Sequence, residues 1–317
     1  MTPRPRHLPR FRPLPLPRSL SVLCVLALGV GGCTARGQDR PAVVVTTNIL
    51  GDITRNIVGE EADVTVLMGA GADPHSFGVS APQAASLEQA DLVVHNGLGL
   101  EENVLRHVEA AKEAGVSTLA VGDAVDPIAY TSGESADAPD PHFWTDPERV
   151  RRAVGLIADQ VVRHVKGVDK KAVEKNASAY AGKVAELGSW MRTTFDEIPA
   201  HRRQLVTNHH VFGYLAQRFG FRIVGAVVPS GTTLASPSAS DLKSLADAVE
   251  KAGVRAVFAD SSQPDRLAQV LKRESRIDVE VVPLFSESLT EKGKGAATYL
   301  EMMRANTRSI SKGLGTE

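Results

Sequence analysis

Asp-Pro-His occurs twice, at Asp73-Pro74-His75 and Asp140-Pro141-His142, and a histidine pair follows at His209-His210. The three places are about evenly spaced, and each follows an extended-looking segment. Imidazole is the commonest protein ligand for late first-row metals. Three imidazoles with a carboxylate in reserve, Glu287, could hold one divalent cation between two halves of a protein. A lone histidine is more often a surface or hydrogen-bonded structural residue, and a proline before it often marks only a turn. The repeated tripeptide lifts these histidines above that background, and a neighbouring aspartate is the kind of residue that orients a metal-bound ring.

The remaining histidines lack that context. His107 and His164 fall on polar helical stretches and are expected to be solvated. His95 ends a strand-like run and is the best spare ligand. Local pattern does not choose between His209 and His210.

Sulfur ligands are excluded by the N-terminal reading. Residues 1–18 carry Arg4, Arg6, Arg10, Arg12 and Arg18 without an acid, and an apolar run follows at 20–30. That is a basic n-region and an h-region too short for a permanent membrane span. Val30-Gly31-Gly32-Cys33 resembles a bacterial lipobox, which implies cleavage before Cys33 and lipidation of its thiol. The only other cysteine, Cys24, would leave with the signal, so a metal must be held by nitrogen and oxygen. Losing the five arginines takes the formal net charge from −1 to about −6, which disfavours nucleic acid as a partner.

The donors need a frame to bring them together. Strand-like runs lie at 43–47, 63–68, 92–95 and 116–121, with helical patterns at 81–90 and 101–114. The second half repeats the scheme, with strands at 204–207, 222–228, 254–259 and 279–284 and helices at 211–219, 241–252, 263–274 and 296–312. Ser238 to Asp241 resembles a capping box. Such alternation predicts parallel sheets.

Residues 147–198 break the alternation. Pro147 behind Asp146 reads as a helix start running to about 165. A second helical pattern follows Gly167, with Val173, Ala177, Tyr180, Val184, Leu187, Met191, Phe195 and Ile198 on one face, and Pro199 ends it. About 30 residues make a helix of ~45 Å, longer than a crossover needs.

The expected fold is α/β: two βα lobes, each with a mostly parallel sheet, bridged by one long helix, with a metal site in the inter-lobe cleft. The expected division is a signal peptide at 1–32, a tether at 33–41, an N-terminal lobe at 42–168, a linker helix at 169–199 and a C-terminal lobe at 200–317. Ligands of open parallel sheets bind beyond the carboxyl ends of strands. His75, His209 and Glu287 each follow a strand and His142 precedes the helix at 147, so each lobe supplies two donors.

These residues also carry a family resemblance. The chain is similar to the zinc/manganese solute-binding lipoproteins of ABC transporters over nearly all of residues 41–314. The likeness rests on Gly-Ala-Asp-Pro-His (71–75), Asn-Gly-Leu-Gly-Leu-Glu (96–101), Asp-Pro-His-Phe-Trp-Thr-Asp-Pro (140–147), Asn-His-His-Val-Phe-Gly-Tyr (208–214), Leu-Phe-Ser-Glu-Ser-Leu (284–289) and Tyr-Leu-Glu-Met-Met-Arg-Ala-Asn (299–306). Within the family it most resembles the AztC-like zinc-binding group.

The resemblance implies that His75, His142, His209 (ahead of His210) and Glu287 are the ligands of one Zn2+ carried as cargo. It implies a monomer that is not an enzyme, anchored to the outer face of the cell membrane through lipid on Cys33. Its partners would be a permease with its ATPase and, further, a zinc donor protein. Two departures stand out. The loop at 130–139 has Glu134 and Asp137 but no histidine, where many zinc members are histidine-rich, and 233–238 lacks a glutamate common before Pro-Ser.

Manganese members of that family usually replace the third histidine with glutamate, so His209 favours zinc, as does the Irving–Williams order against Mn2+. A zinc hydrolase is the enzymatic alternative. It needs an open coordination position and a base, and no His-Glu-x-x-His helix is present. A surface adhesin is the third reading. A histidine site should weaken as pH falls below roughly 6, from an ordinary histidine pKa of ~6.5.

Overall fold

A computed structural model describes residues 40–131, 135–261 and 264–315. The expected signal segment, Cys33, most of the tether and Glu134 lie outside the described residues.

Strands β1 (Ala42–Val45), β2 (Asp63–Val66), β3 (Leu92–His95) and β4 (Ser117–Ala120) form one sheet in the order β2-β1-β3-β4. Strands β5 (Gln204–Thr207), β6 (Arg222–Ala226), β7 (Ala256–Asp260) and β8 (Glu280–Leu284) form a second in the order β6-β5-β7-β8. Every pairing in both sheets is parallel. The two lobes thus have the same topology, and in each the strand order reverses beside the first strand. The carboxyl ends flanking such a reversal open into a crevice.

Helices α1 (Asn48–Val58), α2 (Ala81–Glu88) and α3 (Glu102–Glu113) cover the first sheet. Helix α4 (Pro147–His164) leads into α5 (Lys170–Asp196). The second lobe has α6 (Gly213–Phe219), α7 (Ala239–Ala252), α8 (Arg266–Glu274) and α9 (Tyr299–Gly315). Helix α7 begins behind Ser238, whose hydroxyl accepts from the Asp241 N–H while the Asp241 carboxylate reaches back, the capping box read from the sequence.

Helix α5 holds the lobes together. Asp169 caps it by accepting the Lys171 N–H. Its buried side chains are Val173, Ala177, Tyr180, Val184, Leu187, Met191 and Phe195, the face expected from their spacing, and Ile198 is buried just beyond its end. This face packs on α4 and α1 of the first lobe and on α9 of the second. One apolar cluster therefore runs from Val43 and Ile53 through Leu187 to Phe258 and Met302. Rotating one lobe would tear a close-packed core, whose contacts fall off within a fraction of an ångström. The α/β expectation of two parallel lobes with one long bridging helix is met.

Helix α1 is absent from the sequence reading, which ran a strand through Thr47. The strand ends at Val45, and Thr47 is the N-cap of α1, accepting from the Leu50 N–H. Ile49, Leu50, Ile53, Ile57 and Val58 are all buried, at the one-, three- and four-residue spacings of a helix face.

Candidate metal centre

The two Asp-Pro-His segments fold the same way. Asp73 Oδ1 accepts the His75 N–H at 3.0 Å, and Asp140 Oδ1 accepts the His142 N–H at 2.9 Å. Each is a local turn in which the aspartate mimics a backbone acceptor. The likeness ends at the rings. Asp140 Oδ1 also lies 2.7 Å from His142 Nδ1, which turns Nε2 away from it. Asp73 instead bonds Ser76 Oγ at 3.2 Å and Thr233 Oγ1 at 2.7 Å.

The structure brings His75, His142, His209 and Glu287 together. One donor atom from each lies within 4.8 Å of every other, and all four residues are buried. His75 lies in the turn after β2, His142 before α4, His209 just after β5 and Glu287 just after β8. The imidazole centroids are 5.7, 5.7 and 5.4 Å apart, close to an equilateral triangle. Glu287 Oε1 is 2.8 Å from His209 Nε2 and 3.3 Å from His142 Nε2, and Oε2 is 4.0 Å from His75 Nε2. Donors ~2.0–2.2 Å from a tetrahedral ion stand about 3.3–3.6 Å apart, so these spacings bracket what such an ion needs.

Of the alternatives, His210 is half-buried and donates its N–H to Ser230 O, outside the cluster. His95 is buried at the end of β3 and is not in the group either. His107 is half-buried, its Nε2 accepting from Arg106 Nε at 3.2 Å, and so is less exposed than its polar stretch suggested. His164 is half-buried, its Nδ1 2.9 Å from Ser117 Oγ, and so is not the solvated residue its polar stretch suggested.

The electrostatics are those of a carboxylate among imidazoles. Burial would raise the Glu287 pKa, but His142 and His209 hold it well below the ordinary carboxylate range. Burial would lower that of His142, and the carboxylates of Glu287 and Asp140 outweigh it and push it up to about 9. Burial also lowers His75, against the pull of Glu287 and with the help of His142 and His209, to about 4. His75 is thus a neutral donor at neutral pH, whereas His142 carries a proton that a cation must displace.

A second layer holds these side chains. Tyr130 Oη stands 3.3 Å from His142 Nδ1, and the Tyr214 hydroxyl donates to Asp140 O at 2.6 Å. The His142 turn is fixed by Asn96 Nδ2, which donates to Pro141 O at 3.0 Å. Asn96 is placed by the buried Glu101, whose Oε1 accepts its N–H at 2.6 Å and the Thr46 hydroxyl at 2.9 Å. Between them Gly97, Leu98 and Gly99 all take left-handed φ, at 80°, 57° and 78°, which explains the glycines around the leucine.

The Glu287 segment is held from both lobes. Trp144 Nε1 donates to Ser286 O at 2.9 Å, and Ser286 Oγ bonds Asp260. Asp140 is the ring-orienting aspartate that the repeated tripeptide offered, whereas Asp73 does not take that role. Tyr130, Trp144 and Asn96 did not stand out as individual site residues, and the motif segments at 96–101 and 140–147 carried the signal for two of them.

The arrangement can hold a divalent cation by three nitrogens and one carboxylate. The described helices include none long and apolar enough to cross a membrane.

Comparison with known proteins agrees. The chain is 28% identical to the manganese ABC transporter substrate-binding lipoprotein PsaA of Streptococcus anginosus, over 93% of this chain and 96% of that protein. It is 31% identical to the metal ABC transporter substrate-binding lipoprotein SsaB of Streptococcus sanguinis, over 86% and 88%. Its fold matches the periplasmic zinc-binding protein TroA of Treponema pallidum with a TM-score of 0.79 at 26% identity, covering 87% of this chain and 99% of TroA. The family model described as zinc-uptake complex component A, periplasmic, matches residues 43–313. The chain belongs to that family, and it is a metal substrate-binding component of an ABC transporter, with a permease and ATPase for partners, and not an enzyme.

Proposed function

We propose that the protein captures Zn2+ outside the cytoplasm at His75, His142, His209 and Glu287 and hands it to its permease. One observation carries this reading. His75 Nε2, His142 Nε2 and Glu287 Oε2 are buried without a hydrogen-bond partner among the described residues, yet they converge. An orphaned buried polar atom costs about 1–3 kcal/mol, and a shared cation satisfies all three. Three neutral imidazoles and one carboxylate suit tetrahedral zinc and leave the site at a net charge of about +1.

Lipidation at Cys33 would keep the protein at the outer face of the membrane, where a zinc donor protein could load it as a monomer. Manganese is the second reading, because PsaA is named for manganese and TroA for zinc. Mn2+ prefers more oxygen donors than this set offers. The adhesin reading gains no support from relatives named as metal ABC transporter substrate-binding lipoproteins.

Competitive titration with Zn2+, Mn2+ and Cu2+ tests the proposal. Zn2+ should bind with a stoichiometry near one and exclude Mn2+. Preferential retention of Mn2+ would overturn the choice of zinc, and no stoichiometric metal at all would overturn capture.

A further inference from the structure

The segment between β6 and α7 crosses from the second lobe to the first and makes a bond toward each histidine of the site. Thr233 Oγ1 donates to Asp73 Oδ2 at 2.7 Å, and the other oxygen of Asp73 fixes the His75 N–H. The Tyr130 hydroxyl lies 3.3 Å from Gly231 O and 3.3 Å from His142 Nδ1. Ser230 O accepts the N–H of His210, the residue after His209. Gly231 also packs under Tyr130, where a Cβ would meet the phenolic oxygen at 2.4 Å.

The same strap lines a cleft of about 280 Å3 through Gly231, Thr232 and Leu234, and His75 lines it too. His75 is thus the one ligand of the four that lines this cleft, and Asp73, the anchor of the strap, lies two residues away.

The base of the strap is fixed, with Val227, Val228 and Ser230 buried and the Gly231 N–H donating to Ser135 Oγ at 3.1 Å, but residues 232–238 bury no side chain. Thr233 is half-buried and Leu234 is 61% exposed. A segment with little apolar burial opens at low local cost, so its polar bonds carry most of its hold.

We propose that Thr233 is a positioning residue for metal retention: its bond to Asp73, with the Tyr130–Gly231 bond beside it, clasps the strap over the cleft and sets how fast a captured ion leaves. The ion departs past His75 when the clasp opens, while α5 keeps the lobes fixed. The inference rests on the proposed capture of zinc and adds to it the element that governs release.

The test is chelator capture of Zn2+ from the loaded, purified protein, followed by stopped flow. Thr233→Val keeps the shape and removes the hydroxyl. A hydrogen bond to a charged group is worth a factor of roughly ten, so release should accelerate about tenfold. Thr233→Ser should restore release to within about twofold of the original. The Co2+-loaded Thr233→Val protein should keep the ligand-field spectrum of the unaltered protein, because its four ligands are untouched. Tyr130→Phe is the second variant and should also accelerate release. Release at the original rate in both Thr233→Val and Tyr130→Phe overturns the clasp, as does faster release with an altered Co2+ spectrum. Failure of the unaltered protein to hold Zn2+ overturns the capture reading itself.

Discussion

Asn48 Oδ1 accepts the Leu289 N–H at 2.9 Å, and its Nδ2 donates to Ser288 Oγ at 2.7 Å. Asn48 opens α1 in the first lobe, whereas Ser288 and Leu289 directly follow Glu287 in the second. On the other side of Glu287, Asn306 of α9 accepts the Phe285 N–H at 2.9 Å and donates to its carbonyl at 2.8 Å. The segment that carries the Glu287 carboxylate is therefore pinned on both sides of that residue, once from each lobe. Asn48 Nδ2 also donates to Gly69 O at 2.8 Å, so Asn48→Ala should cost about 3 kcal/mol of stability, ~1 kcal/mol for each of these three bonds. That corresponds to a fall in Tm of roughly 5 °C, measured by calorimetry on the metal-free protein. Zinc affinity should drop about tenfold because Glu287 loses its register, and an unchanged Tm and dissociation constant would remove Asn48 from this role.

His142→Ala removes one of four donors and should cost on the order of a quarter of a ~10–16 kcal/mol site, about 3 kcal/mol. Competition against a chelator of known affinity should show a loss of at least about a hundredfold. A dissociation constant equal to the original would take His142 out of the ligand set.

Asp140→Asn keeps the turn, since the amide oxygen still accepts the His142 N–H, but it removes the charge facing Nδ1. Partners of this kind are worth about 10–100-fold in metal affinity. The same substitution at Asp73 should weaken binding less, because Asp73 is bonded to the His75 backbone and to hydroxyls. Equal effects at both positions, measured by the same competition, would contradict the difference between the two repeats.

Zinc affinity should follow pH over a wider window than ordinary histidine chemistry gives. With its pKa raised to about 9, His142 is protonated in the metal-free protein below that pH, and binding must displace the proton. Affinity should thus rise about tenfold per pH unit up to about 9 and then level off. His75, lowered to about 4, competes only below that value. The same raised pKa stabilises the metal-free fold fully below the ordinary value of ~6.5, and this contribution is lost as pH rises through about 9. Calorimetric titration in buffers of different ionisation enthalpy should count about one proton released per Zn2+ at pH 7.5. Release of no proton there, or a loss confined to below about pH 6, would return His142 to ordinary behaviour.

Much of the frame was legible because it is periodic. The apolar positions of α5 repeat at three and four, and that spacing identified its buried face without any tertiary contact. The strands were legible as short β-branched runs, though their ends were not: 222–228 became Arg222–Ala226, since ladder length depends on the neighbouring strand. Helix α1 was missed although Ile49, Ile53 and Ile57 recur at four-residue spacing, because the expected strand ran through Thr47, the residue that caps the helix.

The sequence by itself determined the donor types, the absence of any cysteine from residues 34–317, and the repeated Asp-Pro-His turn, because composition and short-range hydrogen bonding are local properties. The family resemblance ranked His209 ahead of His210 where local pattern did not, and tertiary structure supplied the reason, burying His209 against Glu287 and leaving His210 half-buried; tertiary structure alone gave Asp140 a ring to orient and Asp73 a strap to hold. Neighbouring residues point in different directions, and what each one meets is set by segments that are remote along the chain but adjacent in the fold.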